Sequence, residues 1–144
     1  MATRSARPTE MTTQDLVAMF RDEPHVVRLE PGEVLFKNGD PSASMYVVRS
    51  GTLTIRSGRV VYENVGAGGI VGEMGIVEVH MPRSAMVYAR TQAELIEIDE
   101  QRFLELVEGR PSFALAVMRV LSRRLRVMDV RYDRGDLEEQ DELR

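Results

Sequence analysis

Between residues 26 and 98 the chain is cut into short apolar runs by turn-forming residues. The spacing leaves room for strands and little room for helices. The runs are Val26–Leu29, Val34–Lys37, Met45–Arg49, Thr52–Arg56, Val60–Val65, Ala85–Arg90 and Glu94–Ile98. The breaks fall at Pro31-Gly32, Asn38-Gly39-Asp40-Pro41, Ser50-Gly51 and Ser57-Gly58. Glycine opens the left-handed region to the backbone and proline fixes φ, so the chain reverses at such pairs. Leu53 and Ile55 alternate with Thr52, Thr54 and Arg56, the period of a strand with one buried face. Many short strands at this spacing predict an antiparallel barrel or jelly roll.

Helical patterns flank this region. Thr13 is placed to cap a short helix carrying Leu16, Val17, Met19 and Phe20, which ends before Pro24. Asp99 reads as the N-cap of a helix with Phe103, Leu104, Leu106 and Val107, stopped by Gly109. Pro111 opens a last helix, which the pattern carries to about Asp133, roughly 34 Å of rise. Met118, Leu121, Leu125, Met128 and Tyr132 form a heptad-like stripe on it, a surface that allows a homodimer through this helix. The fold class is therefore mainly β with α: an antiparallel, jelly-roll-like β-roll with an N-terminal helix and two C-terminal helices. Residues 1–12 are expected to be flexible, 13–133 to form one domain, and 134–144 to be an acidic, solvated tail.

Composition narrows the function. A chain of 144 residues fits one domain with a real core. It has no cysteine, so disulfide and thiolate chemistry are excluded. There is no apolar run long enough to span a membrane, and the N-terminus lacks an apolar signal core. The expected location is cytoplasmic. A formal net charge of −4 argues against a bulk nucleic-acid binder, which needs excess cation. Lys37 is the only lysine, so a lysine-bearing phosphate loop is absent.

The stretch from Gly72 to Ala85 carries the chemistry. It reads Gly-Glu-Met-Gly-Ile-Val-Glu-Val-His-Met-Pro-Arg-Ser-Ala. Glu73 follows a glycine turn and Arg83 follows a proline. A guanidinium offers a planar fork of donors to anionic oxygens, and a carboxylate accepts a hydroxyl proton. Together they suit a phosphodiester that also bears a free ribose hydroxyl. Nearby glycines let backbone N–H groups approach an anion.

This stretch resembles the phosphate-binding cassette of cyclic nucleotide-binding domains, above all the bacterial catabolite activator branch. Gly72, Glu73, Met74, Gly75, Ile76, Pro82, Arg83, Ser84 and Ala85 match the cassette pattern in order. The lead-in Val65-Gly66-Ala67-Gly68-Gly69-Ile70-Val71 and the upstream Phe36–Pro41 and Met45–Gly51 segments resemble the same family. The match covers about residues 14–132. The resemblance implies a sensor, not an enzyme, for cAMP, with cGMP as the alternative. It places the phosphate on Arg83 and Ser84, with Ala85 beside them, and the ribose hydroxyl on Glu73 and Gly72. Ile70, Val71 and Met74 would form apolar walls. Arg124 would sit near Glu73 and the nucleotide. Met128 and Asp129 stand where the branch places two hydroxyl residues against the adenine amine. No further cofactor is implied.

Other readings fit less well. The glycines from Gly66 to Gly75 do not spell Gly-x-Gly-x-x-Gly, because Ala67 and Val71 interrupt the register. His25 and His80 are the only histidines and lie far apart, which gives no metal site and no catalytic triad. The arginines of the last helix fill its polar face. The branch continues into a winged helix-turn-helix after this helix. This sequence ends at Arg144, so direct DNA binding is not expected, and the output is expected through an unidentified downstream protein or a dimer mate. A nucleotide-free interaction module of the same fold is the second class of reading. Met86, in place of the threonine of many eukaryotic cassettes, cannot donate a hydroxyl bond to guanine, which tilts the reading to cAMP.

Overall fold

The computed structural model describes residues 10–78 and 80–142, with side chains described as far as Val127. The order is α1 (Thr13–Met19), β1 (Val27–Leu29), β2 (Val34–Phe36), β3 (Ser44–Ser50), β4 (Leu53–Ser57), β5 (Val60–Val65), β6 (Ile70–Val71), α2 (Met74–Val77), β7 (Met86–Ala89), β8 (Ala93–Asp99), α3 (Glu100–Gly109) and α4 (Ser112–Glu142). The strands form two antiparallel four-stranded sheets, ordered β1-β8-β3-β6 and β2-β7-β4-β5. The expected β-roll with one N-terminal and two C-terminal helices is the observed architecture.

The chain crosses from the first sheet to the second at Gly51. Its φ is +87°, and a Cβ there would lie 2.1 Å from the Gln92 carbonyl oxygen, so only glycine fits. The β4–β5 hairpin closes through Gly58-Arg59, with Gly58 at positive φ as a primed two-residue turn requires.

Two apolar clusters hold the layers together. Between the sheets lie Leu29, Val48, Leu53, Val65, Val71, Val87, Ala89 and Leu95. Between the first sheet and the helices lie Met45, Val47, Ile96 and Ile98, packed against Leu16, Phe20, Phe113, Ala116, Val117 and Val120. Strand β3 sends Met45 and Val47 to one cluster and Val48 to the other. That explains its nearly unbroken apolar run: both faces are buried.

The structure corrects several local expectations. The cap of α1 is Thr12, not Thr13. Its hydroxyl accepts from the Asp15 N–H at 3.1 Å, and the Asp15 carboxylate accepts from the Thr12 N–H at 2.9 Å, a reciprocal capping box. Met11, within the stretch expected to be flexible, is buried in the helix-side cluster. Asp99 caps α3 as expected, accepting from the Arg102 N–H at 2.8 Å. Strand β6 and the single turn α2 escape a sequence reading because each spans only about one period of the pattern that would reveal it. Helix α4 continues past Asp133 and through Gly135 to Glu142. One glycine costs a helix only about 1 kcal/mol relative to alanine, which does not stop it.

Candidate functional site

The cassette is built across three loops. After β6 the chain turns at Gly72, with φ +72°, and Glu73 starts α2. It returns through Pro82, which bridges Pro41. Arg83 then docks by its own backbone: its N–H donates to Asp40 O at 2.7 Å and its carbonyl accepts from the Gly39 N–H at 2.8 Å. The Ser42 hydroxyl donates to Met81 O at 2.6 Å, and the His80 N–H donates to Ser42 O at 2.8 Å. The turn Asn38–Pro41, distant in sequence, thus sets where Arg83 begins.

The Arg83 side chain is 7% exposed. Its guanidinium donates to Gly72 O at 2.9 Å and to Ser44 O at 2.7 Å, and lies over the Phe36 ring at 4.2 Å. Its Nε–H is buried and has no partner. Burial pushes its pKa down, opposed by Tyr46, Glu73, Asp40 and Glu97. It is a desolvated cation, bound to carbonyls and ring, with one nitrogen, Nε, left without an acceptor. Gly72 and Gly75 make the space: a Cβ on either would come within 2.8 or 3.0 Å of the Arg83 terminal nitrogen.

Glu73 is 5% exposed. Its carboxylate accepts from Arg124 of α4 at 2.7 Å. The same guanidinium donates through Nε and its other terminal nitrogen to Glu63 of β5, at 3.1 and 3.3 Å, and to Ile70 O at 2.6 Å. Burial opposes the charge on Arg124, but Glu73 and Glu63 outweigh it and raise its pKa above the ordinary arginine range.

Gly72, Glu73, Arg83 and Arg124 stand close together: Arg83 bonds to Gly72 O, and Arg124 to the adjacent Glu73. Ser84 is exposed, and its hydroxyl has no partner among the described residues. Ala85 is half-buried beside it, and Met74 is exposed at the start of α2. Ile70 and Val71, expected as walls against a ligand, are instead fully buried core residues, one in each cluster. The alternation of β6 sends neither to the surface. Of the lead-in glycines, Gly68 lies against α1: a Cβ there would meet the Thr13 carbonyl at 2.3 Å, so it serves packing rather than an anion. The side chains of Met128 and Asp129 lie outside the described residues, though both positions fall on α4. Ser44 and Glu63 carry no motif signal, and Phe36 lies in a segment of the resemblance that assigns it no role at the site; only the closed sheets bring them in. No group of three or more metal-ligating side chains occurs among the described residues, and no helix there is long and apolar enough to cross a membrane.

Comparison with known proteins agrees with this geometry. Residues 26–110 match the family described as Cyclic nucleotide-binding domain. The chain is 23% identical over 120 residues to the cAMP-activated global transcriptional regulator CRP of Salmonella typhimurium, covering 80% of this chain and 57% of that protein. The chain thus spans little more than half the length of this relative. The structure of Thermus thermophilus catabolite activator protein superposes with a TM-score of 0.71 at 26% identity, over 94% of this chain and 63% of that one. A structure described under a cyclic-GMP-dependent signalling pathway in bacterial phytopathogenesis superposes with a TM-score of 0.66 at 26% identity, over 81% and 94%. Fold, motif order and family match coincide on the same residues, and the chain belongs to the cyclic nucleotide-binding domain family.

Proposed function

We propose that this chain is a regulatory sensor domain for a cyclic nucleotide, with cAMP as ligand, and that occupancy of the cassette is relayed to α4. The observation that carries this is the Arg83 guanidinium: desolvated, without a carboxylate hydrogen-bonded to it, and holding a buried Nε–H with no acceptor. An anionic phosphate oxygen supplies what is missing, and the Ser84 hydroxyl adds a donor beside it. Glu73 accepts the ribose 2′-hydroxyl on lone pairs that Arg124 leaves open. Since Arg124 belongs to α4, a ligand that engages Glu73 changes the balance of contacts holding that helix. A shift in helix position follows only to the extent that the two positions bind the ligand differently.

The cAMP assignment rests on Met86 and on the relative activated by cAMP. The cGMP alternative draws on Asp129, whose carboxylate suits the N1 and N2 donors of guanine, and on the cyclic-GMP-pathway neighbour. The proposed sensor acts in the cytoplasm and passes its signal to a second copy or another protein. On α4, Met118 is 59% and Leu125 is 61% exposed, whereas Leu121 packs on the core. The homodimer reading therefore rests on Met118 and Leu125. Titration calorimetry with cAMP and cGMP in parallel tests the ligand; heat from neither returns the domain to the nucleotide-free interaction module. Sedimentation of wild type and Leu125→Glu, with and without cAMP, tests the dimer; a monomer throughout removes it.

A further inference from the structure

The sequence pattern points to Glu73, Arg83 and Arg124, and Glu63 belongs to no motif. Yet Glu63 makes the two-point contact in this network. Its two oxygens take the Nε edge of Arg124, at 3.1 and 3.3 Å, while Glu73 and Ile70 O each take one end of the guanidinium. A planar fork held along one edge has its remaining donors fixed in direction. With the Nε edge on Glu63, the far terminal nitrogen points at Glu73. Without Glu63 the plane is held only at its two terminal nitrogens, by Glu73 and Ile70 O, and the Nε edge has no acceptor.

The placement adds a second argument. Glu63 lies on β5, in the second sheet, whereas Ile70 belongs to β6 in the first. Arg124 comes from α4. One guanidinium therefore joins both sheets and the last helix at the carboxylate that faces the ligand. Arg124 is mostly buried, with 18% of its side chain exposed, so water does little to replace a lost acceptor.

We propose that Glu63 is a positioning residue for the ribose-binding carboxylate. By clamping the Nε edge of Arg124 it fixes Arg124 on Glu73, and so sets both the preference for a ribose hydroxyl and the docking of α4 onto the roll. This rests on the ligand reading above for its ribose half and on the geometry alone for its helix half. Glu63 does not touch the ligand; it acts through Arg124.

The experiment uses the full chain and the variant Glu63→Gln, which keeps shape and one acceptor but loses the charged two-point clamp. Affinities for cAMP and 2′-deoxy-cAMP are measured by calorimetry. In the wild type a hydrogen bond to a charged acceptor gives a ribo-to-deoxy ratio on the order of tenfold or more. In Glu63→Gln the ratio falls to within about threefold, and Glu63→Asp recovers less than half of it because its carboxylate is held one methylene short of the two nitrogens. A second arm needs no nucleotide: amide hydrogen exchange along 116–127 of α4 speeds up in Glu63→Gln while that of β3 and β8 stays unchanged. A purely structural role would lower affinity for both ligands equally and leave their ratio alone. If the wild type binds no cyclic nucleotide, the function proposed above fails and the exchange arm alone decides this inference. Wild-type exchange in α4 of the variant, or an unchanged ribo-to-deoxy ratio, overturns it.

Discussion

Arg83 and Arg124 bond to the adjacent residues Gly72 and Glu73 and solve the burial of a positive charge in opposite ways. Arg83 has carbonyl oxygens and an aromatic face, a buried Nε with no acceptor, and a pKa pushed down by burial. Arg124 has two carboxylates and a carbonyl, and its pKa is raised despite burial. An ion left short of acceptors gains most from an incoming anion, whereas an ion already paired gains little and instead holds elements together. In the function proposed above, the first receives the ligand and the second relays its presence.

The comparison breaks first at Arg124. Arg124→Ala leaves Glu73 buried beside no hydrogen-bonded cation, and removing one partner of a buried pair costs about 3–5 kcal/mol of stability. Denaturant unfolding measures this; a loss under about 1 kcal/mol would mean that Arg124 is not holding the site. Arg83→Ala should instead act on binding, costing about 2–5 kcal/mol of nucleotide affinity in calorimetry. Arg83→Met, which keeps an unbranched stem and gives up the guanidinium over Phe36, should change unfolding stability by less than about 1.5 kcal/mol, because an apolar replacement avoids the desolvation cost. A binding loss of less than a few-fold removes Arg83 as the phosphate ligand.

A smaller effect sharpens the contrast. Gly75→Ala places a Cβ 2.7 Å from the Ser44 carbonyl and 3.0 Å from the Arg83 guanidinium, so the Arg83 bond to Ser44 O must lengthen. Overpacking of this kind costs about 1–3 kcal/mol. It should appear in both unfolding and nucleotide affinity, with Arg124 contacts untouched. The smallest effect is at Glu73→Gln. Arg124 keeps Glu63 and Ile70 O, and the amide oxygen still accepts, so ligand affinity falls by about 1 kcal/mol. Arg124→Ala and Glu73→Gln cut the same pair from its two sides. Equal stability losses in the two would contradict the picture of an arginine with a second acid in reserve.

Much of the fold was legible because it rests on local rules. The seven strand runs expected from 26 to 98 each overlap an observed strand, since alternation and turn residues act within a few positions. The cap at Asp99 was read correctly for the same reason. The cap at Thr12 was read one residue late because two adjacent threonines offer the same side chain, and only Asp15 completing the box chooses between them. Ile70 and Val71 were misplaced because a two-residue strand shows no alternation from which its faces can be told.

The residue types of the site were set by the sequence alone: a carboxylate after a glycine turn, a guanidinium after a proline, and an arginine far along the last helix. What each meets was decided by tertiary structure. Arg83 finds Ser44 across 39 residues, and Arg124 finds Glu73 across 51 and Glu63 across 61. No local rule reaches that far, because such pairings exist only once two sheets close and α4 lies on them. Side-chain charge is carried by each residue wherever it goes; burial and the identity of the partner are properties of the closed fold.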